Sequence, residues 1–194
     1  MKRIFLLMTI LFISVLSTAC VNNLAIQELN NKAQEYMEKG DPESAICRLE
    51  ASLDLDKDFF ETRYNLGIAY LNAKRYDKAI EVLTKAVELK PDFANTYYSL
   101  AVATDEFNSM EIDKIKNPAN YTEQGEIPAL TVDSTIVEQN DKIVLTNEDK
   151  DFITKKVNET IEAYNKYLEK NPNAEEKDAI ENRINSLKTE LDFN

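Results

Sequence analysis

Histidine is absent from the 194 residues, cysteine occurs twice and glycine three times. Without histidine the commonest general base and metal ligand is missing, and with it the usual zinc sites and nucleophile triads. Three glycines do not make a phosphate-cradling loop, since Gly40 and Gly67 each stand where a helical pattern turns or packs closely. Positive charge is also scarce. The 35 Asp and Glu outnumber the 23 Lys and Arg, for a formal net charge of −12, which argues against a nucleic-acid partner. Acids this numerous on amphipathic helices bring carboxylates together by chance, and their plain role is to solvate helix surfaces. None sits in a recognisable catalytic frame. Neither an enzyme, a cofactor nor a bound metal is therefore expected.

What the chain has is helical periodicity, strongest between Phe60 and Phe93, which reads FETRYNLGIAYLNAKRYDKAIEVLTKAVELKPDF. Leu66, Gly67 and Tyr70 form one apolar stripe and Ala79, Leu83 and Ala86 a second, separated by a polar turn at Asn72 to Tyr76. This spacing predicts a helical hairpin. Gly67 and Ala79 allow close approach of the two backbones, Tyr70 and Leu83 fill the space beside them, and Pro91 ends the second helix. In order and spacing, Leu66, Gly67, Tyr70, Ala79, Leu83, Ala86 and Pro91 resemble the tetratricopeptide repeat.

A lone hairpin of this kind cannot bury its apolar face, so the resemblance implies neighbours one period of 34 residues away. Ala33, Tyr36, Ala45 and Leu49 stand one period before Gly67, Tyr70, Ala79 and Leu83, with Ser52 in place of Ala86 and Lys57 in place of the proline. One period later, Tyr97, Leu100 and Ala101 continue the pattern until it breaks at Thr104. Its second helix reappears only at Thr160, Tyr164, Tyr167 and Pro172, after 47 additional residues. The implied fold is all-α: a right-handed superhelix of hairpins over 26–59, 60–93 and 94–110 plus 147–172, with an insertion at 111–146 and a capping helix at 173–192.

Local signals add detail. Gly40, Asp41 and Pro42 stop one helix and start the next; Asp58 with Glu61, Thr146 with Asp149, and Asn173 with Glu176 have capping-box spacing. Ile180, Ile184, Leu187 and Leu191 give the last helix a single apolar face. Phe152, Ile153, Val157, Ile161, Tyr164 and Leu168 form a stripe that begins about two turns earlier than the repeat requires, offering the insertion a surface to pack on. The insertion itself contains Pro118, Gly125 and Pro128 and then turns β-branched, so that Ala129 to Val132, Thr135 to Val137 and Lys142 to Leu145 read as short strands of a small β-hairpin.

Residues 1–19 have the layout of a secretory signal: Lys2 and Arg3, an apolar run from Ile4 to Leu16, then Ser17, Thr18 and Ala19 before Cys20. Leu16 to Cys20 resembles the lipobox of bacterial lipoproteins, although Ser17 stands where leucine is favoured. The resemblance implies a diacylglyceryl group on Cys20 as a membrane anchor; the alternative is an ordinary signal peptide followed by a structural cysteine. Val21, where an aspartate would favour inner-membrane retention, points to the outer membrane facing the periplasm. Cleavage removes Lys2 and Arg3 and no acid, raising the net charge to −14, so lipid and not a basic face would hold the chain at the bilayer. Helical pattern begins near Leu24, leaving a tether of about four residues, at most roughly 14 Å long. With Cys20 lipidated, Cys47 has no partner in the chain and is expected to be partly exposed, or else to form an intermolecular disulfide.

The repeat family commonly binds proteins or extended peptides on a concave surface lined by the first helix of each hairpin. By that resemblance the positions are Asn30, Gln34 and Met37, then Tyr64, Ile68 and Leu71, then Tyr98, Val102 and Asp105. They form either a peptide groove or mere packing between helices. Positions at which some members grip a carboxyl terminus with lysine and arginine are neutral here. The resemblance implies a membrane-anchored adaptor with a protein or peptide partner, in envelope, pilus or outer-membrane assembly. The alternative is a surface-exposed lipoprotein that captures an external ligand.

Overall fold

The computed structural model describes residues 22–118 and 145–192. They form seven helices: α1 over 22–38, α2 Pro42–Leu55, α3 Phe60–Asn72, α4 Tyr76–Leu89, α5 Ala94–Lys116, α6 Asn147–Lys170 and α7 Lys177–Thr189. Among the described residues there is no strand, and no helix is long and apolar enough to cross a membrane. The signal segment, Cys20 and the predicted β-hairpin before Leu145 lie outside the described residues. The chain divides into two compact units, one ending at Ala103 and one beginning at Thr104.

The first unit is the hairpin array. Gly40 is left-handed at φ 72°, Pro42 opens α2, and the Asp41 carboxylate accepts the Ser44 N–H at 3.0 Å, as the sequence predicts. The same turn recurs one period later with a lysine in place of glycine. Lys74 adopts φ 56°, and the Arg75 N–H donates to the Tyr70 carbonyl at 2.9 Å, as the Asp41 N–H does to Tyr36. The left-handed conformation costs a side-chain-bearing residue roughly 1–2 kcal/mol, so the backbone bonds and the packing of α3 on α4 hold this turn against local preference.

That packing depends on Gly67. A Cβ placed there would lie 2.5 Å from both Cγ and Cδ2 of Leu83, which is itself fully buried and has nowhere to move. Leu66, Ala69, Tyr70, Ala79 and Leu83 join Ala33, Ala45, Ile46 and Leu49 in one core. Burial, with the Glu50 carboxylate that accepts its hydrogen bond at 2.7 Å, pushes the Tyr70 hydroxyl well above the usual tyrosine range.

A buried polar link joins the first two hairpins. The hydroxyls of Ser52 and Thr62, both fully buried, share a hydrogen bond of 3.0 Å, and the Asn30 amide donates to them at 3.1 and 2.7 Å. One period later Thr96 repeats Thr62, but Ala86 stands where Ser52 would be. The Thr96 hydroxyl is buried and meets no partner among the described residues.

Two expected caps are corrected. The N-cap of α3 is Phe59, without a side-chain bond, because the Asp58 N–H turns back to the Asp56 carboxylate at 2.9 Å and the helix starts one residue late for Asp58 and Glu61. In place of Asn173, Glu176 precedes α7, and its carboxylate accepts the Tyr167 hydroxyl at 3.2 Å instead of capping.

In the second unit Thr146 and Asp149 do form the capping box at the start of α6, with the Asp149 N–H donating to the Thr146 hydroxyl at 3.1 Å. α5 continues to Lys116, past residue 111, where the expected insertion begins. Ile112 on this extra length packs with Ile153, Val157 and Leu187, so the added turns of α6 meet the added turns of α5. Ile180, Ile184 and Leu187 bury the one apolar face of α7, and Cys47 in the first unit is exposed.

These contacts generate two stability predictions. Gly67→Leu forces α3 from α4 and is expected to lower unfolding free energy by at least about 1–3 kcal/mol in urea denaturation. An unchanged midpoint would contradict the close approach. Thr62→Val and Thr96→Val should differ despite their equivalent positions: about 1–3 kcal/mol lost at Thr62, where buried partners are orphaned, and no loss or a gain at Thr96.

Candidate peptide-binding surface

Eight of the nine candidate positions fall in the first unit, on α1, α3 and the first part of α5; Asp105 falls in the second. Met37, Tyr64, Ile68, Leu71, Tyr98 and Val102 are half-buried and Gln34 is exposed. Met37, Tyr64 and Leu71 rest on the hairpin core, so their inner sides pack while part of each stays accessible. Gln34 bonds only along its own helix, donating to Glu38 at 3.1 Å.

Tyr64 belongs to an aromatic cluster. Its ring centroid lies 5.4 Å from that of Phe93, edge to face, and 6.2 Å from that of Phe60, stacked. The Lys90 ammonium stands 4.8 Å from the Phe60 centroid and 5.3 Å from that of Phe93. Of these three rings only Tyr64 is among the candidate positions. Phe60 four residues before it on α3, and Phe93 one full period after Phe59, were the available signals.

At two candidate positions, Asn30 and Asp105, the polar groups are used internally. The Asn30 amide donates to the Ile26 carbonyl at 2.9 Å as well as to Ser52 and Thr62, and its oxygen accepts from Asn65 at 3.1 Å. Asp105, buried in the second unit, accepts two hydrogen bonds from Arg183, from Nε at 2.9 Å and Nη2 at 2.7 Å, and a third from the Tyr164 hydroxyl at 2.9 Å. Those bonds, above all, hold the Arg183 guanidinium still more firmly protonated than an ordinary arginine. Both residues therefore act as ties between helices. Arg183, on the solvent side of the α7 pattern, carried no sequence signal for this role.

The candidate positions that remain are mainly aromatic and aliphatic. Among the described residues no group of three Asp, Glu or Cys could hold a metal ion. The second unit has a shallow groove of about 270 Å³ lined by Asn165, Leu168, Glu181, Ile184, Asn185 and Lys188, apart from every candidate position.

Residues 36–103 match the tetratricopeptide repeat family model, and the match lies wholly within the first unit. No curated protein matches the chain. Among solved structures it is similar to the first TPR domain of Spaghetti (RPAP3) bound to the HSP90 peptide SRMEEVD, at 17% identity over 87% of this chain and 94% of that one, with a TM-score of 0.56. The second TPR domain of human RPAP3, in complex with the HSP70 peptide SGPTIEEVD, gives 13% identity over 86% and 98% of the two chains and a TM-score of 0.54. At these identities the likeness shows the fold alone, an all-helical fold of the tetratricopeptide-repeat type.

The Asp105 cluster yields a prediction. Arg183→Met leaves a buried carboxylate with its strongest donors removed and is expected to cost about 1.5–3 kcal/mol in thermal denaturation, with Arg183→Lys restoring only part because lysine lacks the paired donors.

Proposed function

We propose that this protein is a lipid-anchored adaptor whose hairpin array binds a segment of another protein. The observation that carries the reading is the half-buried strip of Tyr64, Ile68, Leu71, Tyr98 and Val102 on the first helices of successive hairpins. Tetratricopeptide domains of the same fold are known in complex with short peptides, which supports a peptide ligand. The mode differs from a carboxylate clamp, because the corresponding positions here are neutral. Aromatic and aliphatic anchors would supply affinity. Nothing in the surface calls for catalysis. The anchor is the diacylglyceryl group on Cys20, which the Ala19-Cys20 junction after an apolar run supports, and the favoured location is the outer membrane, facing the periplasm.

Two measurements test this reading. Photo-crosslinking from position 68 in cells, followed by mass spectrometry, should yield a defined protein partner whose capture falls roughly tenfold or more in Tyr64→Ala/Tyr98→Ala, as for loss of paired interface hot spots. Capture that is unchanged in the double variant would move the site elsewhere. Cys20→Ala should remain unprocessed or become soluble in membrane fractionation, and a variant still cleaved and membrane-bound would exclude the anchor.

A further inference from the structure

Large apolar side chains are exposed at one end of the first unit. Among the described residues Leu24 is 68% exposed, Leu55 40% and Leu89 39%. Chain order explains why they belong together. Tight turns at Gly40 and Lys74 make α1 with α2, and α3 with α4, antiparallel pairs. The start of α1 and the ends of α2 and α4 therefore lie at the same end of the hairpins. The opposite end carries the turns and is polar, with Lys39, Gly40, Asp41, Lys74 and Arg75.

In the sequence Cys20 stands just before α1, whose first turns carry Leu24. The chain is already helical at residue 22, so only Val21 intervenes between Cys20 and α1, a span of at most about 7 Å and shorter than the four-residue tether expected from sequence. Acyl chains on Cys20 would enter the bilayer within about 10 Å of Leu24, two helical residues into α1. We infer that this end of the array rests on the lipid surface, with Leu24, Leu55 and Leu89 in the interface and the candidate peptide-binding strip held at a fixed height above it. The inference builds on the lipid-anchor reading. Attraction is apolar and not electrostatic, since Asp54, Asp56, Asp58 and Asp92 outnumber Lys57 and Lys90 at this end. Three leucines are too few to bind alone, as even a single fourteen-carbon acyl chain is marginal, but once the anchor is inserted they contact lipid at high effective concentration.

The chain contains no tryptophan, so a single one reports without background. Leu24→Trp, Leu55→Trp, Leu89→Trp and, at the polar end, Glu38→Trp are made in the full-length protein, processed in cells, and reconstituted into phosphatidylcholine vesicles with or without brominated acyl chains. The first three should shift to the blue and be quenched by bromine roughly twofold or more strongly than Trp at 38. Equal quenching at all four overturns the orientation, and a blue shift without quenching means that a protein surface, such as a second copy, covers the leucines and also overturns it. Mass spectrometry of the processed amino end separates the two readings: an acylated Cys20 with unquenched tryptophans sinks only the orientation, whereas an unacylated Cys20 sinks both.

Discussion

The close approach of α3 and α4 at Gly67 is the constraint on which the first unit depends. Leu83 occupies the volume a side chain at Gly67 would need, and it can do so only because Ala79 and Ala86 keep the rest of the α4 face low. Once the pair is that tight, it presents a continuous apolar face to α2 and the neighbouring elements, and Leu66, Ala69 and Leu49 close over it. The strained turn at Lys74 follows from the same contact. A connection of three residues can join helices this close only by reversing sharply, and the left-handed residue is supplied by glycine in one hairpin and imposed on lysine in the next.

Polar groups then give each inter-repeat contact an individual identity. Apolar stripes at a common period would tolerate more than one pairing, whereas the Asn30, Ser52 and Thr62 network is satisfied in only one. Thr96 shows the cost of an incomplete set, for its buried hydroxyl, with Ala86 at the position equivalent to Ser52 in the period, has no hydrogen-bond partner among the described residues. Asn30 is one of the nine candidate positions, and its capture by the network leaves the apolar candidates further along the same helices. The candidate surface is accordingly richer in tyrosine and aliphatic side chains than in hydrogen-bonding ones.

Helix content, the hairpin turns and the apolar faces were legible because each depends on spacing alone: Gly67 against Leu83, Gly40 before Asp41, Ile180 with Ile184 and Leu187. Misjudged features were those decided by competition between alternatives of similar energy. Asp58 has the spacing of a cap, yet Asp56 took its N–H first, and Glu176 found a tyrosine hydroxyl in place of a backbone donor. Such contests turn on tertiary neighbours that a period does not encode. The fate of Asp105 was hidden for the same reason, since its principal partner Arg183 lies 78 residues away. At the candidate surface, sequence marked the face but not the sharing of its side chains between packing and exposure.

The α5–α6 pair shows how departures from a pattern can compensate one another. Tyr164 replaces the leucine of the standard repeat, and a buried tyrosine needs a partner for its hydroxyl. Asp105 provides it, immediately after the pattern breaks at Thr104, and a buried carboxylate in turn needs the cation that Arg183 brings from α7. Beside this cluster the Asn108 amide spans α5 and α6 to the Thr160 hydroxyl at 3.0 Å, where the standard repeat has alanine. These bonds set an antiparallel register that continues through Ile112 and Val157 beyond the usual turn. Two helices lengthened in matching register bury each other's added surface, so the long segment between Pro118 and Leu145 departs from the ends of a supported pair. Residues that look like decay of the repeat are thus the means by which α5 and α6 extend past it.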